Sequence, residues 1–224
     1  MGAQIDGLPA IVSDTIVVGA EPTSEQANLI LATHYATEAL LRLLLPPAVH
    51  PENTEEKPFK RPTSNAITQT LAKIADAYGC KLVESTTSFQ FERNEIEAKK
   101  KIVLAPGENV PKSEGASEVG EVWGVEVSLS NGSGKVKEIP DKRATLFRKT
   151  DTKYALKRPS AKATLNEINK KFGAFPFSLR QLEDERSAKS GVIECVRGNI
   201  LRQFEVLGEK DGASVSRIFI TAGK

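Results

Sequence analysis

A chain of 224 residues and 24.3 kDa, 39% hydrophobic and 27% charged, has the composition of a globular protein with one sizeable core, or one core with an appendage, and excludes a wholly disordered segment. Its net charge of +2 and pI near 8.4 dictate no partner when averaged over the whole chain. The longest apolar candidate, ALLRLLLPPAV, is broken by Arg42 and by Pro46–Pro47, and no basic-then-apolar leader opens the chain, so the expectation is a soluble intracellular protein without a membrane partner.

Residues Gln4 to Gly19, QIDGLPAIVSDTIVVG, are β-branched and partly alternating, which predicts a strand or hairpin arm with Pro9 near a bend or an edge. Thr23 followed by Gln26 has capping-box spacing, and Ala27, Ile30, Leu31, Leu41 and Leu45 recur at helical intervals, predicting a helix over Ser24 to Leu45. His34 is placed on that apolar stripe as a structural histidine satisfied by one hydrogen bond. Pro46 to Thr63 holds five of the twelve prolines among charges and reads as an exposed, inserted loop. A second helix is expected over Ser64 to Tyr78, stopped by Gly79, with strands in CKLVESTTSFQF and KKIVLAP and a turn-rich link in KSEGASEVGE. In Val122 to Lys135 the apolar Trp123, Val125, Val127 and Leu129 alternate with Gly124, Glu126 and Ser128, the signature of a strand buried on one face, closed by a Gly-Ser turn. RATLFRK is a further strand. Cys80 and Cys195 are single, far apart and accompanied only by His34 and His50, which spells neither a disulfide framework nor a zinc site; each reads as a small buried hydrophobe.

From Lys157 the pattern turns helical and basic. Thr164 and Glu167 have capping-box spacing, with Leu165, Ile168 and Phe172 on one face and Gly173 ending the helix; Ser178 and Gln181 repeat the device. FGAFPF is thus expected to be a helix–turn–helix corner whose phenylalanines pack two short helices onto a body. Strands resume in RQFEVL and SVSRIFITA around the turn GEKDGA. Between Lys157 and Arg202 ten basic residues stand against five acidic ones, giving this segment +5 and the remainder −3.

FGAFPFSLRQLEDERSAKSGVIECV, followed by ILRQFEVLGEKDG and FIT, resembles the carboxy-terminal part of the proliferation-associated, curved-DNA-binding branch of the methionine aminopeptidase-like proteins. DGLPAIVSDTIVV, HYATEALLRLL, VWGVEVSLSNGSGK and LFRKTDTKYALK fall in matching order upstream. The resemblance implies an α+β pita-bread fold, a curved antiparallel sheet with flanking helices and a small helical insert, here incomplete at both ends. Its implied division is a truncated body over 1–156 with the loop at 46–63, a helical insert over 157–207, and a returning strand of the body over 208–224. Sheet edges left unpaired by missing strands would make such a fragment marginal in stability.

Active relatives hold two divalent ions with two Asp, one His and two Glu, hard oxygen ligands and an imidazole converging on one sheet face. Carried over by the resemblance, the first Asp would precede Met1. The remaining positions carry Ile11, Phe89, Glu126 and Phe219, with Asp14 beside the second of the Asp positions. One carboxylate cannot hold two dications, so no metal, cofactor or catalytic residue is expected.

Three function classes follow. The resembled branch implies a non-catalytic adaptor binding the ribosome, structured RNA or DNA, in cytoplasm and nucleus or nucleolus, linked to ribosome biogenesis, translation or growth control. The basic insert offers Lys157, Arg158, Lys162, Lys170, Lys171, Arg180, Arg186 and Lys189 for phosphate contacts that release counterions; the bland alternative is a solvated helical face. A metal-dependent methionine aminopeptidase is the second class. A pseudoenzyme binding peptides or protein partners is the third.

Overall fold

The computed structural model describes residues 1–19, 21–107, 113–139, 141–210 and 212–223. The strands are β1 (Gly2–Ile5), β2 (Leu8–Ile11), β3 (Lys81–Leu82), β4 (Thr86–Phe91), β5 (Lys101–Leu104), β6 (Val122–Ser130), β7 (Val136–Glu138), β8 (Leu146–Lys149), β9 (Phe177–Ser178), β10 (Leu201–Gln203), β11 (Leu207–Glu209) and β12 (Val215–Gly223). The helices are α1 (Ser24–Leu43), α2 (Ser64–Ala77), α3 (Pro159–Lys171) and α4 (Glu185–Arg197), with 3-10 turns at Pro47–Val49 and Leu179–Gln181. The chain divides into two compact units, Met1–Lys137 with Gly208–Lys224, and Glu138–Leu207.

The first unit is built on an antiparallel sheet in the order β12-β6-β4-β5, with β3 also pairing β6. The period-2 pattern of β6 sorts its two faces as read, although Gly124, Ser128 and Ser130 of the second face are buried too. Trp123, Val125, Val127 and Leu129 are buried on the face that meets α1 and α2, in one cluster with Leu40, Leu71 and Leu104; full burial of each such side chain is worth about 1.5–3 kcal/mol. The expected strand of residues 80–91 is two pieces, because Ser85 adopts φ 64° between them. Residues 1–11 form a hairpin rather than one long arm. Asp6 and Gly7 both have positive φ, 51° and 82°, the primed turn that an Asp-Gly pair favours, and the chain then runs on beside β12 through mutual hydrogen bonds between Ser13 and Phe219 at 2.9 and 3.0 Å.

Helix α1 begins where its capping box places it, Thr23 Oγ1 accepting from Gln26 N–H and Gln26 Oε1 from Thr23 N–H. Its buried face differs from the expected stripe. Leu29, Ala32, Thr33, Ala36, Thr37 and Leu40 face the core, whereas Leu31 and His34 are exposed, the His34 ring meeting Tyr35 edge-on at 5.6 Å. Thr33 and Thr37 tolerate burial because their hydroxyls donate to the carbonyls of Leu29 and Thr33, at 2.7 and 2.8 Å. Helix α2 ends at Ala77, and Gly79 at φ 68° supplies the left-handed residue that follows it. The proline-rich stretch is exposed over 51–58, whereas Pro46 is buried and Pro47–Val49 form a partly buried 3-10 turn; His50 stacks on Phe59 at 3.5 Å. Lys112 of the predicted link and Asp211 of the predicted turn lie outside the described residues.

A small polar network ties this sheet to the link before it. The Glu121 carboxylate accepts from Lys100 Nζ, from Trp123 Nε1 at 3.0 Å and from Glu118 N–H at 2.9 Å. Burial pushes its pKa up, but those hydrogen bonds, led by Lys100, outweigh it and hold the carboxyl below its ordinary value of 4.5. A depressed carboxylate contributes stability that is present above the unfolded pKa and lost as pH falls through the folded one. Glu121→Gln is therefore expected to lower the thermal midpoint at neutral pH, with the gap from wild type closing as the melts are taken into acid below pH 4.5. A gap that persists there would assign the loss to packing.

In the second unit α3 and α4 pack together, and a three-stranded antiparallel sheet, β10-β8-β9, completes the core. Phe177 is 1% exposed among Phe147, Ile168, Leu182, Val192 and Leu201; its ring lies 5.2 Å from that of Phe172 and 6.1 Å from that of Phe147. FGAFPF is thus a packed corner, though helix, strand, 3-10 turn and helix replace the expected helix–turn–helix. The Ser178–Gln181 capping box is present and closes the 3-10 turn, and α4 is capped separately by Asp184. The Thr164–Glu167 box is not formed: α3 starts at Pro159, Thr164 is buried inside it, and the Glu194 carboxylate receives the N–H groups of Lys157 and Arg158 at 2.7 and 3.0 Å. Because β8 pairs with β9 and β10, this compact unit starts at Glu138, whereas the insert that the resemblance implies starts at Lys157.

Candidate functional site

The sheet of the first unit has a second face, away from α1 and α2, and register places on it all four residues at the ligand positions that the resemblance marks. Ser13 pairs with Phe219, and Phe219 with Glu126; one row along, Thr221 pairs with Gly124, and Gly124 with Phe89. Cross-strand partners share a face. Ile11 joins the second row, its N–H donating to Thr221 Oγ1 at 2.7 Å and its carbonyl accepting from that hydroxyl at 2.8 Å. Ile11, Phe89, Glu126 and Phe219 are therefore brought together by strands far apart in sequence. Asp14 is exposed one position off this alternation.

Their chemistry does not fit a pair of dications. Glu126 is the one carboxylate among the four, and its Oε1 receives Arg217 Nε at 2.7 Å. Its side chain is 19% exposed and that of Arg217 53%. The guanidinium sits 5.8 Å from the centre of the Phe219 ring, and Phe219 stacks on Phe91 at 6.3 Å. The two histidines lie on α1 and in the loop after it, and among the described residues no cluster of three or more His, Cys, Asp or Glu is placed to hold a metal ion. Sequence reasoning overlooked Arg217, Phe91 and Gly124. Gly124 was the available signal, since a glycine inside a strand marks a close approach.

The eight basic residues expected to contact phosphate, all in the second unit, fall into two groups. Lys171 Nζ lies 2.7 Å from Glu167 and 3.3 Å from Glu183, and Lys189 Nζ lies 2.8 Å from Glu185. The Glu167 hydrogen bond raises the Lys171 pKa, and that same bond holds Glu167 below its ordinary value. These two lysines are occupied in joining helix turns. Lys157, Arg158, Lys162, Lys170, Arg180 and Arg186 are exposed and make no ion pair with the described residues. The open cleft beside α3 is lined by Asn166, Lys170 and Ser187 but also by Glu167, Glu183 and Asp184, so the cations do not form one uninterrupted groove.

Against known proteins, this chain is 37% identical over 226 residues to the curved DNA-binding protein of Schizosaccharomyces pombe, taking 99% of this chain and 55% of that one. A solved thermophilic Arx1 is 55% identical and superposes with a TM-score of 0.91 over 98% of this chain and 62% of its own. The chain belongs to the proliferation-associated, curved-DNA-binding branch of the methionine aminopeptidase-like family. Its fold is accordingly the α+β pita-bread class, and the methionine aminopeptidase of Rickettsia prowazekii shares it at a TM-score of 0.52 and 12% identity, a likeness of fold alone. The chain spans about half the length of the curated relatives it matches, 53 to 55% for the first four. No family model matches it.

Proposed function

We propose that the chain is the aminopeptidase-like portion of a non-catalytic adaptor that binds the ribosome or structured RNA through its phosphates, in the service of ribosome biogenesis, translation or growth control in cytoplasm and nucleus. The observation that carries this reading is the donor set of the sheet's open face. A two-metal hydrolase needs several hard ligands around two ions to activate a water, and here a lone carboxylate is engaged by an arginine set against the Phe219 ring, which itself stacks on Phe91. The six candidate cations that remain exposed, Lys157, Arg158, Lys162, Lys170, Arg180 and Arg186, supply the complementary half, sequence-independent attraction to a polyanion. Membership of a branch whose members include a protein named for binding curved DNA is in keeping with such a partner, and DNA is the second polyanion to be tested. No helix among the described residues is long and apolar enough to cross a membrane.

The test pairs binding with chemistry. Fluorescence anisotropy with a labelled RNA hairpin and a labelled DNA duplex is expected to show saturable binding that weakens with salt, while a methionyl peptide incubated with Mn2+, Co2+ or Zn2+ releases no methionine. Two metal ions retained per chain, lost in Glu126→Gln and accompanied by methionine release, would restore the aminopeptidase. Absence of binding to either nucleic acid would favour a pseudoenzyme that serves protein partners.

A further inference from the structure

Three residues outside the resembled ligand positions decide what the open face can hold. Gly124 lies in the middle of β6, where an added Cβ would meet Phe91 Cζ at 2.4 Å, Phe91 Cε1 at 2.5 Å and Phe219 Cζ at 2.7 Å. The two rings are stacked at 19° with their centres 6.3 Å apart, and both are nearly buried. Arg217 stands two residues before Phe219 on β12, on the same face, with its Nε on Glu126 and its guanidinium against the Phe219 ring. We infer that Arg217 is a fixed internal cation that takes the place of a divalent ion against Glu126, while Gly124 makes room for Phe91 and Phe219 to fill the remaining volume, closing this face to metal ions and to a cationic amino terminus alike.

The charge argument and the volume argument are independent. A dication approaching Glu126 must displace a charge-assisted hydrogen bond of 2.7 Å from a guanidinium that cannot deprotonate. The contact with the Phe219 ring, 5.8 Å from its centre, adds a second attraction that keeps Arg217 in place although its side chain is half exposed. What such an ion then finds is mainly hydrocarbon, the rings of Phe89, Phe91 and Phe219 and the side chain of Ile11, beside the neutral hydroxyls of Ser13 and Thr221, the latter already bonded to the Ile11 backbone; these do not make the charged, oxygen-rich shell a dication needs. An amino terminus meets a like charge at the same place. Ser13, beside Phe219, has a hydroxyl shut off from solvent with no partner among the described residues, and as a neutral group it balances no cation charge. The lost cage is thus a second-use structure, a pin between β12 and β6, and the residues holding it shut are not those that would need to be restored to ligands.

This inference rests on the non-catalytic reading above but not on nucleic-acid binding, and thermal melts of the whole chain separate the two. Wild type is expected to melt at the same temperature with excess Mn2+, with Co2+ and with EDTA. Glu126→Gln and Arg217→Gln each lower Tm, and the double variant melts no lower than the worse single one, because each single change strands the other partner. Gly124→Ala lowers Tm further, and Phe91→Leu on top of it recovers part of the loss by vacating the space the new methyl needs. If Gly124→Ala is insoluble, recovery of soluble protein in the double variant is the readout. A Tm that Mn2+ raises in wild type but not in Glu126→Gln overturns both this inference and the non-catalytic reading. Strictly additive losses at Glu126 and Arg217, or no relief from Phe91→Leu, overturn the internal cation and the plug respectively while leaving the non-catalytic reading standing.

Discussion

Phe177→Ala is expected to cost the second unit about 3–5 kcal/mol, the range for removing a fully buried aromatic ring. The ring is 1% exposed and touches elements from every part of that unit: Phe147 on β8, Phe172 at the end of α3, and the α4 face that carries Val192 and Cys195. Truncation therefore leaves a cavity that no single neighbour can collapse into. Set against the 5–15 kcal/mol that ordinarily separates folded from unfolded protein, such a loss empties most of the margin. Urea unfolding followed by circular dichroism should show a large fall in midpoint. Phe175→Ala should cost less, since Phe175 is half-buried and outside the buried cluster. A Phe177→Ala protein with an unchanged midpoint and lost RNA binding would turn the corner into a recognition surface.

How far the sequence discloses this fold depends on whether the controlling contact is local. The start of α1 is legible because Thr23 and Gln26 satisfy each other's N–H groups within one turn. The alternation of β6 is legible because its two faces carry different chemistry, valines and Trp123 against Gly124, Glu126 and Ser128. The buried stripe of α1 is not, since Thr33 and Thr37 look polar in sequence yet lie in the core once their hydroxyls bond back to the helix. The start of α3 misleads for the opposite reason. Thr164 and Glu167 have the spacing of a cap, but the group that receives the N–H groups at the helix entrance is Glu194, 37 residues beyond Lys157.

The candidate site follows the same rule. Family resemblance marks Ile11, Phe89, Glu126 and Phe219, and strand register does place them on one face. What they do there is set by Arg217, 91 residues from Glu126, and by the fit of two rings over Gly124. No local pattern announces a pairing of that separation. Between Lys157 and Arg202 the net charge of +5 is readable from composition. Which cations are spent on Glu167, Glu183 and Glu185 is not, because it depends on side-chain geometry around α3 and α4.

That division of the cations yields the second large effect. Replacing Lys162, Lys170, Arg180 and Arg186 together by glutamine is expected to flatten the plot of log K against log salt by about three to four units, if each neutralises one phosphate of an RNA duplex. Affinity at low salt should fall by orders of magnitude and to a similar extent for RNAs of different sequence, since phosphate contacts carry no base information. Lys171→Gln with Lys189→Gln is the matched control: both lysines are already neutralised within the helices, so the slope should barely change while the thermal midpoint drops through loss of the Glu167, Glu183 and Glu185 pairs. Filter binding over a salt series measures the slope, and far-ultraviolet circular dichroism checks that each variant remains folded. A loss confined to one RNA sequence would argue for base readout. A quadruple variant that folds and binds with an unaltered slope would move the proposed contact surface off these four residues, because they would then be solvated decoration.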